Sequence, residues 1–284
     1  MPKVGPRVSA ACVALSSMLT ISSCTPPVPG QAASTSTSGR STPARPRLTA
    51  DPVPVSPTAP RMPRPVVVLD PGHNGGNAAA PALINRLVPA GGFSKPCNTT
   101  GTATDTGYPE HAFTFDVAQR TAVLLRAAGM TVVLTRSDDS GVGPCVDARA
   151  AVANDARAAL AVSIHADGAA PSVRGFHVIE PALAPDKGNA AILPASERAA
   201  TSLRSAFAAA TGEAPATYPG ALAEPGLTRR SDLAGLNLAR VPAVFLECAN
   251  MRNRDDAAAL MDAAWRQRAA QGIANGVLDY LRSR

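Results

Sequence analysis

Short apolar runs that alternate with helical patterns constrain the fold of this chain more than any other feature. The runs are rich in β-branched residues, as expected of strands that are buried on both faces of a sheet. They cover residues 65–69, 130–135, 160–164 and 241–246, with a weaker fifth run at 175–179. Apolar residues recur at helical spacing over residues 110–128, 146–158, 195–211 and 254–283. This alternation predicts a single α/β domain in which helices flank both faces of the sheet.

The N-terminal residues have the form of an export signal. Lys3 and Arg7 precede an apolar stretch that is shorter than the roughly 20 residues a transmembrane helix needs. We predict a signal peptide over residues 1–24, ending in a lipobox-like sequence whose cysteine, Cys24, is the predicted lipidation site. One alternative is cleavage after Ala33, at an ordinary small-residue site, and another is an apolar N-terminus of a cytoplasmic protein.

Residues 25–64 are rich in Pro, Ser and Thr and contain almost nothing large to bury. Such a segment cannot offset its loss of chain entropy, so we predict a disordered linker that leads to a folded domain at 65–284. Seven of the 27 basic and one of the 21 acidic residues lie within 1–64, so the domain carries 20 of each. A neutral domain without a basic run argues against a nucleic-acid partner.

The cysteines also indicate an oxidising compartment. Cys97 and Cys145 both lie in loops rich in Gly, Thr and Pro, which suits a disulfide in an exported protein. A bridge between them would close a loop of roughly 50 residues and contribute about 4 kcal/mol on the chain-entropy model. The alternative is that they are two unrelated free thiols. Cys248 follows an apolar run and is expected to be a buried free thiol.

Polar residues follow three of the predicted strands. His165 and Glu247 each come directly after an apolar run, and His73 follows the first run after Asp-Pro-Gly at 70–72. Sites in open α/β sheets form outside the carboxyl ends of the strands, so we expect these side chains to meet at one edge. Glu110 begins a predicted helix, where its charge suits the positive end of the helix dipole and where it can face the same edge.

Two histidines and one carboxylate form a known catalytic zinc set that leaves a position open for water. A second carboxylate can then transfer protons, so the four residues make a complete hydrolytic site. Two other histidines compete as ligands. His111 follows Glu110 directly and should face another side of the helix, whereas His177 lies inside the weaker fifth run.

The ordered set of segments resembles the zinc-dependent N-acetylmuramoyl-L-alanine amidases of bacterial cell walls. Val-Val-Leu-Asp-Pro-Gly-His at 67–73 is similar to the family's opening strand and first histidine ligand, and Pro-Ala-Val-Phe-Leu-Glu at 242–247 is similar to the strand that carries the catalytic glutamate. The resemblance runs from about residue 65 to the C-terminus. The segments that match between these two are Glu110, 135–136, Arg149, 153–154 and 163–167.

This resemblance implies a mixed, mostly parallel sheet in a zinc amidase domain. It implies one zinc ion per chain held by His73, Glu110 and His165, with Glu247 as general base and acid. The reaction would hydrolyse the amide between the lactyl group of N-acetylmuramic acid and L-alanine, in peptidoglycan or its fragments. The enzyme would act as a monomer in the periplasm or cell wall, with membrane contact only through a lipid on Cys24.

Two rival functions use the same residues. A zinc peptidase that cuts within wall peptides would need the same set of ligands and the same proton carrier. A non-catalytic metal- or wall-binding lipoprotein would not need Glu247, because a binder has no use for a second carboxylate at the metal.

Overall fold

The structure, a computed structural model, describes residues 64–218 and 224–284. The predicted signal peptide, Cys24 and almost all of the predicted linker lie outside the described residues. The strands are β1 (Val66–Pro71), β2 (Leu87–Pro89), β3 (Ser94–Pro96), β4 (Thr131–Leu134), β5 (Leu160–Asp167), β6 (His177–Pro181), β7 (Leu227–Arg230) and β8 (Ala243–Asn250). The helices are α1 (Pro81–Ile84), α2 (Glu110–Ala127), α3 (Val146–Asp155), α4 (Leu193–Thr211), α5 (Ala234–Asn237), α6 (Arg254–Met261) and α7 (Ala263–Arg282).

A six-stranded sheet in the order β4-β1-β5-β8-β6-β7 forms the centre of the domain. The first four of these strands run parallel to one another. β6 runs antiparallel to β8 and parallel to the edge strand β7. The short β2–β3 hairpin forms a separate antiparallel pair. The predicted mixed, mostly parallel sheet is therefore confirmed.

Helices cover both faces of this sheet, as predicted. Successive strand residues point to opposite faces, so Val67 and Leu69 join one core while Val68 joins the other. The larger core packs under the long helices α2, α4 and α7. The smaller core lies under α3 and α5, which are 10 and 4 residues long. This second face is therefore covered only in part, and it is the face on which the cleft opens.

Two glycines allow α7 to approach α4 closely. A Cβ at Gly276 would lie 2.7 Å from Leu203 Cα, and one at Gly272 would lie 2.9 Å from Phe207 Cα. Real Cβ atoms essentially never approach other atoms so closely, so the two backbones meet at this distance only because both residues are glycine. Glycine is unfavourable inside a helix by about 1 kcal/mol, and here the close packing compensates for that cost.

The structure differs from the sequence prediction in several elements, among them the β2–β3 hairpin and the short helices α1 and α5, which were not predicted. The predicted helix at 254–283 is two helices, because Asp262 adopts an extended conformation and its side chain accepts hydrogen bonds from the backbone NH groups of Ala264 and Trp265. The edge strand β7 was not predicted, since its sequence Leu-Thr-Arg-Arg has no apolar run. Within the described ranges, none of the helices combines the length and apolar character needed to cross a bilayer.

Candidate active site

The four predicted site residues meet at one edge of the sheet. His73 follows β1, His165 lies near the end of β5, and Glu247 lies on β8 in register with His165. Glu110 is the first residue of α2. These residues line one cleft with a volume of about 420 Å³. The expectation that polar side chains gather at the carboxyl ends of the strands is thus confirmed.

His73 and Glu110 contact each other directly. His73 Nε2 lies 3.1 Å from Glu110 Oε2, and His73 Nδ1 lies 3.1 Å from the Thr99 carbonyl oxygen. Since a carbonyl oxygen can only accept, Nδ1 donates in this contact, and Nε2 is the nitrogen that can bind a metal once it has lost its proton. Burial lowers the pKa of His73, but the negative charge of Glu110 and the hydrogen bonds with Glu110 and Thr99 together outweigh burial, so the pKa of His73 lies above its usual value.

His165 completes the group from the other side. Its Nδ1 lies 2.9 Å from Glu110 Oε1, and its ring stacks on Phe245 at a centroid distance of 4.0 Å. Backbone NH groups hold both carboxylate oxygens of Glu110: Ala166 N donates to Oε1 and Thr102 N donates to Oε2. Burial lowers the pKa of His165 and outweighs its contacts with Glu110.

Glu110 is ionised over the whole physiological range. Burial alone would raise its pKa, but the positive charge of His73 and the hydrogen bonds of both histidines outweigh burial and hold the pKa well below its usual value. The side chain is only 5% exposed. A buried carboxylate between two imidazoles is a site that requires positive charge, whether from protons or from a bound cation.

Two glycines leave room for this group. A Cβ at Gly72 would lie 2.2 Å from His165 Cε1. Gly101 has a positive φ, and a Cβ there would lie 2.9 Å from both Glu110 Oε2 and His73 Cδ2. The loop at 98–102, which also supplies the contacts of Thr99 and Thr102, was not predicted to take part, because its role depends on how it folds against β1.

Buried Arg149 holds the His73 loop in its unusual conformation. His73 has a φ of 58°, in the left-handed region that non-glycine residues rarely adopt. Arg149 donates from Nη2 to the His73 carbonyl oxygen at 2.7 Å, and from Nη1 to the Pro71 carbonyl oxygen at 2.7 Å. Its Nη1 also pairs with Asp70 at 2.7 Å. Burial raises the pKa of Asp70, but Arg149 together with two hydroxyl donors outweighs burial and lowers it to about 2.

A second buried arginine, Arg136 two residues after β4, joins the same loop to α2. Arg136 donates from Nε to the Pro71 carbonyl oxygen at 3.1 Å and from Nη2 to the Gly72 carbonyl oxygen at 3.3 Å. Its Nη2 also donates to the His111 carbonyl oxygen at 2.7 Å. Arg136 and Arg149 belong to the segments that resemble the amidase family, but their contacts with main-chain carbonyl groups could not be read from the sequence.

The predicted disulfide is confirmed: Cys97 and Cys145 are bonded to each other. The bridge joins the two loops that hold the His73 segment. Thr99, two residues after Cys97, contacts the His73 ring, and the Pro144 carbonyl oxygen accepts a hydrogen bond from Arg149. Cys248 is a buried free thiol, also as predicted.

Glu247 lies beside the His–Glu–His group without belonging to it. It pairs in register with His165 on the neighbouring parallel strand. Its Oε2 is buried, and no described residue offers it a hydrogen bond. Burial, followed by the negative charges of Glu110 and Asp167, raises the pKa of Glu247 well above its usual value. A raised pKa suits a carboxyl group that must both take up and release a proton near neutral pH.

The two competing histidines lie elsewhere. His111 Nδ1 contacts the Asp139 carboxylate at 2.8 Å, which holds the ring away from Glu110. His177 lies on β6, opposite Glu247 on β8. Among the described residues, His73, Glu110 and His165 form the group whose ligand atoms converge, all within 4.8 Å of one another.

The donor set of this group fits zinc. Two imidazole nitrogens and one carboxylate, from three different segments, form a type of catalytic zinc site with one position left open. The Thr99 carbonyl that orients His73 is the kind of outer partner that metal-binding histidines usually have. His73 Nε2 and Glu110 Oε2 lie 3.1 Å apart, close enough for both atoms to bind one metal ion.

Comparison with known proteins identifies the family. The profile described as N-acetylmuramoyl-L-alanine amidase matches residues 67–279. The chain belongs to this family. Among curated proteins, an N-acetylmuramoyl-L-alanine amidase of Mycobacterium tuberculosis is 43% identical over 219 residues, which cover 76% of this chain and 86% of that protein.

Solved amidase structures share the fold. The amidase Ami1 of Mycobacterium smegmatis is 45% identical, with a TM-score of 0.72, and the match covers 78% of this chain and 98% of that one. The apo form of Ami1 from Mycobacterium abscessus is 42% identical, with a TM-score of 0.69, and the match covers 76% and 98% of the two chains. The resemblance predicted from the sequence is therefore confirmed.

Proposed function

We propose that this protein is a zinc amidase that hydrolyses the bond between N-acetylmuramic acid and L-alanine in peptidoglycan or its fragments. The observation that carries the proposal is the convergence of His73, Glu110 and His165, with Glu247 beside them, in a member of the amidase family. One zinc ion per chain, held by the first three residues, would polarise the scissile carbonyl group and lower the pKa of water.

The chain's own residues have distinct roles in this reaction. Glu110 neutralises part of the cation's charge, and its two backbone donors keep both carboxylate oxygens in place. Thr99 fixes the orientation of the His73 ring. Glu247 accepts a proton from the attacking water and returns it to the leaving nitrogen of L-alanine. This transfer is favoured because burial gives Glu247 a raised pKa.

The position of the cleft supports a substrate larger than a single amino acid. The cleft opens on the face covered only by the short helices α3 and α5, and Leu233–Leu236 line one of its walls. A partly apolar cleft of about 420 Å³ has room for a sugar residue with an attached peptide. We therefore include both intact wall and soluble muropeptides as substrates.

We further propose that the enzyme is exported and acts as a monomer. Lys3 and Arg7 before an apolar stretch support a signal peptide, and the Cys97–Cys145 bridge supports an oxidising compartment. Lipidation at Cys24 would tether the domain to the membrane surface through the linker. Mass spectrometry of the mature N-terminus tests this: a diacylglyceryl cysteine supports the anchor, whereas a start at residue 34 supports free secretion.

Product identity tests the proposed reaction. The purified protein is incubated with defined muropeptides, with and without a chelator, and the products are analysed by mass spectrometry. An amidase releases intact peptides that begin with L-alanine and leaves a free lactyl carboxylate, only without chelator. Shortened peptides would instead identify a zinc peptidase. Bound zinc without any turnover would identify a binding protein.

A matched variant assigns the role of Glu247. Glu247→Gln keeps the size of the side chain and removes its proton transfer. It should bind zinc normally while the rate falls by about 10²- to 10⁴-fold. A variant that retains the wild-type rate would exclude Glu247 as the proton carrier.

A further inference from the structure

His177 is the one histidine close to the site whose role is unexplained by the proposed mechanism. It lies on β6, in antiparallel register with Glu247 on β8. Residues directly opposite each other on antiparallel strands point to the same face, with Cβ atoms about 4.5–5.5 Å apart. His177 is therefore the cross-strand neighbour of the proposed proton carrier, on the side opposite to His165.

Both members of this pair carry a buried polar atom without a partner. His177 is 3% exposed, and its Nδ1 is buried with no hydrogen bond from any described residue. The same holds for Glu247 Oε2 within residues 64–218 and 224–284. A buried polar atom left unsatisfied costs about 1–3 kcal/mol, so two of them on facing residues require an explanation.

The surroundings of His177 fix its ring in place. Tyr218 packs edge-on against the imidazole at a centroid distance of 5.9 Å, and its hydroxyl donates to Asp167 Oδ2 at 3.0 Å. The charged groups that act on the ring are Asp167 on β5 and Arg230 on β7. Burial outweighs the attraction of Asp167 and lowers the pKa of His177 to about 4, so the ring is neutral at physiological pH.

A neutral imidazole suits a partner that changes its protonation state. One ring nitrogen of a neutral histidine donates and the other accepts, and the two tautomers exchange these roles. Through a bridging water molecule, the same nitrogen can therefore donate toward Glu247 when Glu247 is ionised and accept when Glu247 carries the proton. A lysine at this position could not serve both states, because its ammonium group only donates.

We propose that His177 is a positioning residue that orients the Glu247 carboxyl group through one ordered water molecule, since the two side chains make no direct hydrogen bond. This single interaction would satisfy both unpartnered atoms. It would also keep Glu247 aimed at the cleft while its proton is taken up and released. The inference rests on the proposed function, in which Glu247 transfers the proton.

The test compares two variants of nearly equal size in the full-length protein. Asparagine carries its amide at the position where histidine carries Nδ1, whereas leucine has only carbon there. His177→Leu should lower kcat by about 10- to 100-fold, the usual cost of removing a group that orients an active-site residue. His177→Asn should restore most of this loss. KM, zinc content and the thermal unfolding temperature should stay near wild type in both variants.

The same His177 substitution in a protein that already carries Glu247→Gln distinguishes a positioning role from a merely structural one. If His177 acts through Glu247, then His177→Leu should cause no further loss in a Glu247→Gln protein. An equal loss in both backgrounds, equal rates of the leucine and asparagine variants, or loss of zinc from the leucine variant would each overturn the proposal. If the leucine variant does not fold, His177→Gln replaces it as the negative control, because the glutamine amide lies near the position of Nε2 and not of Nδ1. Equal activity of the glutamine and asparagine variants would then refute the positioning role of His177.

The wild-type reaction shows which hypothesis has failed. Release of intact L-alanine-headed peptides by the wild type, with no effect of the His177 variants, would overturn only the positioning role. Absence of that product from the zinc-loaded wild type would instead overturn the proposed function on which the inference rests.

Discussion

Replacing Gly72 with alanine should displace the His165 ring and weaken zinc binding. A Cβ at position 72 would lie 2.2 Å from His165 Cε1 and 2.5 Å from both ring nitrogens, whereas ordinary contact begins at 3.4 Å. The ring must therefore move by about 1 Å, while metal ligation tolerates errors of only about 0.2 Å. Phe245 stacks on the ring at a centroid distance of 4.0 Å and limits the room for this movement.

The size of the effect follows from the geometry. Changes to groups that merely orient a metal ligand weaken metal binding by about 10- to 100-fold, and displacing the ligand itself should cost at least as much. Gly72 has no positive φ, so the alanine adds a steric clash without backbone strain. Zinc affinity is measured by competition with a chromogenic chelator, and thermal unfolding of the metal-free proteins shows whether the fold is retained.

A matched glycine in the same cleft provides the control. Gly235 lines the cleft, has no positive φ, and a Cβ there would have nothing within 4 Å. Gly235→Ala should therefore bind zinc like the wild type. If Gly72→Ala also binds zinc with wild-type affinity, His165 does not hold the metal in this orientation and the reasoning is refuted.

Three further predictions concern stability. Gly276→Ala should lower the free energy of unfolding by about 1–3 kcal/mol in denaturant titrations, because the added methyl group overpacks the contact with α4. Helix propensity alone would raise the free energy of unfolding, so a stabilised variant would refute the close packing of α7 on α4. The pKa of Asp70 is lowered from 3.8 to about 2 in the folded state, so its ionised form adds about 2 kcal/mol to the free energy of unfolding above pH 4, and this stability is lost as the pH falls through 2. The free energy of unfolding of Asp70→Asn should therefore change less between pH 4 and pH 2 than that of the wild type. An equal pH dependence in the two proteins would contradict this. Cys97→Ala should lower stability by about 4 kcal/mol and weaken zinc binding, and a variant that loses neither would refute the role of the disulfide in holding the His73 loop.

The main elements were predictable because their local signals are strong. The runs that became β1, β4, β5 and β8 are apolar and β-branched, and β1, β5 and β8 lie inside the sheet, so no alternating polar pattern obscures them. The edge strand β7 was missed because an edge strand needs no apolar run. The break between α6 and α7 was missed because both helices are amphipathic and only the cap at Asp262 separates them.

The candidate site was predictable for a related reason. His73, His165 and Glu247 stand at strand ends, and parallel strands bring their carboxyl ends together whatever the details of packing. The supporting contacts depend on tertiary structure instead. Arg149 binds the carbonyl oxygens of residues that lie far from it in sequence. The position of His177 beside Glu247 follows from the antiparallel direction of β6, which a short strand sequence does not reveal.

The most direct test of this account is anomalous diffraction at the zinc absorption edge from crystals of the purified protein. We predict one strong peak per chain, within bonding distance of His73 Nε2, the Glu110 carboxylate and His165 Nδ1, with Glu247 beside it and not bonded to it. A peak at His111 and Asp139, a metal bound by Glu247, or no peak in a folded and active protein would contradict the central claim.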